Sequence, residues 1–378
     1  MSAPFSFVVA GKSSLLSTSP PSMVNSAFMT ALRAVTETVT SGANLSRGDV
    51  AEAVRALLDD VVADDAKADF LTALARKGES AEEIAAFALE LRARAVDPQI
   101  DPARFGGVVL DIVGTGADMT HTFNISSCTV FVAAAAGVAV AKHGNRAITS
   151  KCGSADVLAA LGARIELSPE AARRCLETSG VTFFFAPHYH PAFKAIAPVR
   201  KKLAERRQRT VFNILGPLVN PARPTHQLVG VFDRALVGRF AEVLRLLGLK
   251  HALVVHGDGL DELSTMGVNT MAELWSDRIE ETERDFRVPH TLWRGATVKP
   301  EELFGGDPAT NAGIVRDVLG GKDRGARRDI VLLNAAAALV VAEKATDFVS
   351  GWNLAAELID CGAARERLER FVDATNRG

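Results

Sequence analysis

From Val108 onward, short runs rich in β-branched and apolar residues alternate with stretches of helical period. That alternation constrains the fold more than any other feature of the chain. The candidate strands are residues 108–113, 138–144, 163–167, 181–187, 226–232, 251–257, 269–276 and 297–303. Helices are expected between several of them, at 127–136, 155–161, 169–179 and 234–247, and two long ones close the chain at 327–345 and 347–372. Strands separated by helices pair in parallel through crossovers, so the pattern predicts an α/β fold with a mostly parallel central sheet.

The chain before this point reads differently. Residues 26–96 have helical period throughout. Ser46 precedes one such segment, and Ser80 with Glu83 makes the Ser-x-x-Glu capping pattern. The turn-rich stretch 97–107 ends the unit. We therefore expect a disordered Ser/Pro-rich extension over 1–25, a small all-helical domain over 26–100, and a larger α/β domain over 105–378. Residues 190–212 return to a helical pattern and are expected to pack on the helical domain. A length of 378 residues suffices for a sizeable core. The formal net charge of −2 offers no global basic field, so nucleic acid is not an expected partner. The longest apolar run, 130–141, is too short to span a bilayer, and no membrane association is expected. The short apolar run near the N-terminus has no positive charge before it, so a cytoplasmic protein is expected rather than a secreted one. The four cysteines form no C-x-x-C pair, which argues against structural zinc and a disulfide framework. Cys152 reads as a small buried thiol.

Four stretches could carry chemistry. The first is DIVGTGADMTHTFNIS, residues 111–126, read as a buried strand, a Gly-rich loop and the start of a helix. Such a junction offers backbone N–H groups and a positive dipole end to an anion. It lacks the Gly-Lys-Ser/Thr of a Walker loop and the third glycine of a dinucleotide fingerprint. A plain turn is the other reading, but Thr122, Asn124 and Ser126 add short hydrogen-bonding side chains suited to a ligand's oxygens. The second stretch places Lys142, His143, Gly144, Asn145 and Arg146 after an apolar run, followed by Thr149, Ser150 and Ser154. Cations and hydroxyls at the end of a parallel strand lie where open α/β sheets bind ligands. In the third, Asp258, Asp261 and Glu262 share a Gly-rich loop; adjacent carboxylates repel unless a hard cation such as Mg²⁺ lies between them. In the fourth, His190 and Arg200 flank a helical segment, and the Arg could fork onto a ligand carboxylate. No nucleophile elbow and no zincin motif occur.

Taken in order, GTGAD…TFNIS, AKHGNR…GSADVLAALG, APHYHPAFK…PVR, RTVFNILGPLVNPA and DGLDELS resemble the anthranilate phosphoribosyltransferase family. The similarity runs from about residue 32 to the C-terminus. The resemblance implies transfer of phosphoribose from 5-phosphoribosyl 1-diphosphate (PRPP) to the amine of anthranilate with Mg²⁺, in tryptophan biosynthesis. It also implies a helical domain, an α/β domain and a homodimer joined through the helical part. By resemblance, Gly114, Ala117, Asp118, Thr122, Asn124, Ile125, Ser126 and Ser127 line the diphosphate site. Lys142, His143, Gly144, Asn145, Arg146, Thr149, Ser150 and Ser154 continue it around the phosphoribose. Ser126, Asp261 and Glu262 are the implied magnesium ligands, and Asp261, Glu262 and Lys142 the catalytic groups. Gly114, Asn145, His190 and Arg200 face the acceptor, with Arg200 at its carboxylate. The chain departs from the family pattern at Ala117, where glycine is usual, at Ser127, and at residues 204–209, where about three extra residues precede Arg209-Thr210. Alternatives left open are a nucleoside phosphorylase of the same broad fold, a phosphoribosyltransferase with another aromatic acceptor, and a non-catalytic relative that binds nucleic acid.

Overall fold

The computed structural model describes residues 21–116, 121–147, 151–286 and 298–377. Four helices come first: α1 (Pro21–Thr40), α2 (Arg47–Leu57), α3 (Asp64–Lys77) and α4 (Ala81–Arg92). Ser46 and Ser80 form reciprocal capping boxes with Asp49 and Glu83, so both starts are set by local chemistry. The α/β part then runs β1 (Val109–Gly114), α5 (Ile125–Ala135), β2 (Ala139–Gly144), α6 (Ser154–Ala160), α7 (Pro169–Ser179), β3 (Val181–Phe185), α8 (Ala186–Tyr189), α9 (Ala197–Glu205) and α10 (Phe212–Leu215). It continues with β4 (His226–Gly230), α11 (Val237–Leu246), β5 (His251–Gly257), β6 (Val268–Trp275), β7 (Arg278–Asp285), α12 (Pro308–Leu319), α13 (Ala326–Val341), α14 (Phe348–Asp360) and α15 (Ala363–Asn376).

The sheet order is β3-β2-β1-β4-β5-β6-β7. The first five strands in this order pair in parallel, and β6 and β7 pair antiparallel. The chain leaves β1 in one direction for β2 and β3, and returns on the other side for β4 and β5. The order therefore reverses between β1 and β4, and the crevice at their carboxyl ends is where such sheets take ligands. Alternation along each strand feeds two cores. Ile112, Leu228 and Leu253 face α5, α6, α7 and α12–α15, whereas Val229 and Val254 face α11 and the N-terminal helices. Ile196, Val199 and Leu203, from the turn before α9 and from α9 itself, join that second core.

Three expectations need correction. Residues 163–167 form no strand: Ile165 and Leu167 are buried, but the backbone N–H of Arg164 goes to the Thr375 hydroxyl and the Leu167 carbonyl takes the Tyr189 hydroxyl. The described part of 297–303 is a 3₁₀ turn, Pro300–Leu303, capped by Lys299 and Glu302. Residues 347–372 are two helices, broken at Gly362 with φ +82°. Two elements carried too little hydrophobic signal to be expected. Strand β7 is a charged edge strand, which suits an edge because charge discourages further pairing. Helix α12 carries its buried apolar residues only from Ala312 onward; behind the Asp307 cap it begins with Pro308, Ala309, Thr310 and Asn311. Among the described residues, no helix is long and apolar enough to cross a membrane.

Candidate active site

Four of the five parallel strands end in glycine: Gly114, Gly144, Gly230 and Gly257. At three of them the reason is a close approach by the 258–262 loop, at Gly257 by the carbonyl oxygen of Glu262. A Cβ at Gly230 would collide with the carbonyl oxygen of Asp261, and one at Gly114 with its carboxylate. The acidic loop is thereby laid across the ends of β1 and β4. Asp261 Oδ2 accepts the N–H of Gly116 at 2.7 Å, and Glu262 Oε1 accepts the N–H of Ser126 at 3.1 Å, at the start of α5. A carboxylate is favoured there by the positive end of the helix. The Gly loop is held from the other side: Thr115 N–H donates to Gly230 O at 2.9 Å, and the Thr115 hydroxyl accepts from Phe232 N–H at 3.0 Å.

The first turn of α5 is less open than its sequence suggested. Ile125 N–H goes to Phe123 O and Ser127 N–H to Asn124 O, which leaves Ser126 as the donor that reaches the acidic loop. Ser127 is buried, and its hydroxyl has no partner among the described residues. Thr122 bridges Phe304 in an antiparallel contact, and the Asn124 side chain is tied to Asn311 and Cys152. Ala117, Asp118, Thr149 and Ser150 lie outside the described residues.

Lys142 is buried at the end of β2, where its ammonium donates to Ile112 O at 2.6 Å. Burial pushes its pKa down, and the negative charges of Asp111, Glu262 and Asp261 oppose that shift. Asp111, also buried, is pushed up to about 6 by desolvation, against hydrogen bonds from Asn220 and Gln227. An acid inside the apolar run of β1 is the sequence signal for this network. The network explains the GPLVN motif. Gly216 O accepts from His143 Nδ1, Pro217 O from Gln227 and Leu218 O from Arg92, while Asn220 donates to Ala141 O. Arg92 comes from α4, so this crossing segment also ties the helical unit to the sheet.

His143 and His190 meet edge to face at 5.2 Å. Burial holds both neutral, His143 down to about 3 and His190 down to about 4. Unfolded imidazoles take up protons near pH 6.5, so the stability of the neutral pair is complete above that pH and is lost as pH falls toward 4. Each imidazole contributes a slope of about 1.4 kcal/mol per pH unit in that window. Urea unfolding at pH 7 and pH 5 should show the acid-side loss, and His190→Phe should remove one imidazole's share of it. An unchanged slope would mean that His190 is not held neutral in the fold.

Asn145 and Arg146 follow β2. Asn145 O accepts from Ala155 N–H, and the Ser154 hydroxyl lies 3.4 Å from it. Asp156 closes the loop by accepting from Ala147 N–H, Gly153 N–H and the Arg146 guanidinium. Two of the four acceptor candidates, His190 and Arg200, come together through aromatic rings rather than along one helix. His190 stacks on Phe193 at 5.1 Å, Phe193 meets Phe212 edge-on at 6.0 Å, and the Arg200 guanidinium lies 5.4 Å over Phe212. Arg200 is largely buried, its pKa is lowered by desolvation, and it has no carboxylate partner among the described residues. The longer 204–209 segment is anchored by Gln208 to Thr72 of α3, and Arg209 lies 3.8 Å over Phe232.

A hard divalent cation fits this chemistry. Asp261 and Glu262 are oxygen ligands, and Ser126, whose backbone N–H donates to Glu262, carries a further hydroxyl oxygen. No cluster of three or more His, Cys, Asp or Glu is assembled among the described residues, so the remaining ligands would be substrate oxygens and water, as Mg²⁺ commonly takes.

Comparison with known proteins places the chain in a family. Residues 33–95 match the helical bundle domain, and residues 106–365 the a/b domain, of the glycosyl transferase family. An anthranilate phosphoribosyltransferase of Roseiflexus sp. (strain RS-1) is 45% identical over 341 residues, covering 90% of this chain and 97% of the relative. The chain belongs to the anthranilate phosphoribosyltransferase family. The Thermus thermophilus family member superposes with a TM-score of 0.81 at 38% identity, covering 90% of this chain and 99% of that one. The Saccharomyces cerevisiae family member, in complex with PRPP and Mg, superposes with a TM-score of 0.79 at 27% identity, covering 92% and 99%. The family's two-part build, helical unit and α/β unit, is the fold seen here.

Proposed function

We propose that this protein transfers the phosphoribosyl group of PRPP to the amine of anthranilate, releasing diphosphate. The observation that carries the reading is the meeting of Asp261 and Glu262 with the N–H donors of the Gly loop and of α5, across the ends of β1 and β4. Asp261, Glu262 and Ser126 would hold Mg²⁺, which would neutralise charge on the departing diphosphate. Lys142 adds a buried positive charge behind the diphosphate. Asn145, Arg146 and Ser154 frame the phosphoribose. Arg200 binds the anthranilate carboxylate, and the rings of His190, Phe193 and Phe212 pack the acceptor. The C1–O bond to diphosphate breaks as the amine nitrogen bonds to C1 from the opposite face, and the amine then loses a proton. Rate comes from positioning and leaving-group stabilisation. We further propose a cytoplasmic homodimer joined through the helical unit, which sedimentation of the purified protein checks.

Mixing the protein with PRPP, Mg²⁺ and anthranilate should remove anthranilate fluorescence, and EDTA should stop it. PRPP binding by calorimetry without turnover would keep the donor and overturn the acceptor.

A further inference from the structure

Helix α12 needs only Asp307 to cap it, through a 2.8 Å bond from Thr310 N–H. Asn311, in its first turn, is nevertheless 2% exposed and fully engaged elsewhere. Its amide oxygen accepts from Gly306 N–H at 2.7 Å, and its amide nitrogen donates to Asn124 Oδ1 at 2.9 Å. Asn124 in turn donates to Cys152 O at 3.3 Å. A line of amides thus runs from α12, through the residue that starts α5, to the loop that starts α6. The backbone supports it: Phe123 N–H donates to Leu303 O and Gly305 N–H to His121 O. The crossing is tight, since a Cβ at Gly305 would lie 2.6 Å from Asn311 Oδ1 and 2.8 Å from Phe123 Cα. The anchor is rigid, because Ala312, Val315, Val318 and Leu319 of α12 are all in the core.

We infer that Asn311 is a positioning residue for the donor site, holding the loop before α5 and the loop before α6 in register through Asn124. The inference rests on the PRPP reading of those two loops. An amide is required because one side chain must accept from Gly306 and donate to Asn124 in the same plane. Asp lacks the donor, and an aliphatic residue leaves both partners, which are half-buried, unpaired.

The test compares wild type, Asn311→Ala, Asn124→Ala and the double variant. Asn311→Ala should weaken Mg²⁺-dependent PRPP binding by calorimetry, and raise the KM for PRPP, by about tenfold, the size of one buried hydrogen-bond partner lost. The KM for anthranilate should stay near the wild-type value, a split that general loosening of the fold would not produce. If Asn311 acts through Asn124, the double variant should bind PRPP no more weakly than Asn124→Ala; additive losses would overturn the inference. Hydrogen exchange without ligand gives a second readout. Amides of 121–127 and 151–157 should exchange faster in Asn311→Ala, and unchanged exchange would overturn the clamp. A wild-type protein that binds no PRPP would instead overturn the donor-site reading, and the exchange comparison would then decide the clamp by itself.

Discussion

Replacing Asp261 with Asn and Glu262 with Gln together lowers kcat by about a thousandfold with the fold retained. The two substitutions keep the shape and one oxygen acceptor at each position, so the contacts to Gly116 N–H and Ser126 N–H can persist. What is lost is two negative charges at the place where a divalent cation and a diphosphate must be balanced. Lys142 also loses two of the charges that keep its ammonium favoured in a buried setting. The loss should therefore fall on kcat at saturating PRPP, and Mg²⁺-dependent PRPP binding should weaken. Thermal unfolding checks that the sheet survives. Near-normal turnover by the double variant would remove the metal assignment.

Arg200→Ala should raise the KM for anthranilate by about a hundredfold and leave PRPP binding unchanged, as expected for a desolvated cation that meets a carboxylate. The guanidinium is largely buried over Phe212 and lacks a carboxylate partner among the described residues, so it is poised for an anion that arrives with the substrate. Arg200→Lys should recover only part of the loss, because an ammonium cannot make the planar two-point contact. Steady-state kinetics with each substrate varied in turn separates the outcomes. A parallel rise in both KM values would place Arg200 in the fold rather than in the acceptor site.

These two sites are legible in the sequence to different degrees. The carboxylate pair stands out because like charges on neighbouring residues are a poor structural choice, and its loop does cross the strand ends. Arg200 and His190 are visible as residues but not in their geometry: the spacing suggests a single helix presenting both, whereas a 3₁₀ turn and two phenylalanines bring them together. Asp111 is legible as an acid in an apolar run, although no motif draws attention to it. Asn311 is not legible, because an asparagine in the first turn of a helix is common and nothing near it in the chain announces its partner.

The sequence by itself determined the order of strands and helices over most of the α/β part, the capped starts of α2 and α4, and the position of each Gly-rich loop. These depend on periodicity and on residues three or four apart, which meet whatever the rest of the chain does. The tertiary structure alone decided which donors face which acceptors. Gly116 and Asp261 are 145 residues apart, Ser126 and Glu262 are 136 apart, and Asn124 and Asn311 are 187 apart. No local rule links such pairs. The first two pairs meet because strand order reverses between β1 and β4, which brings the loops after β1 and β5 to one crevice, and the third because α12 packs on α5 and α6.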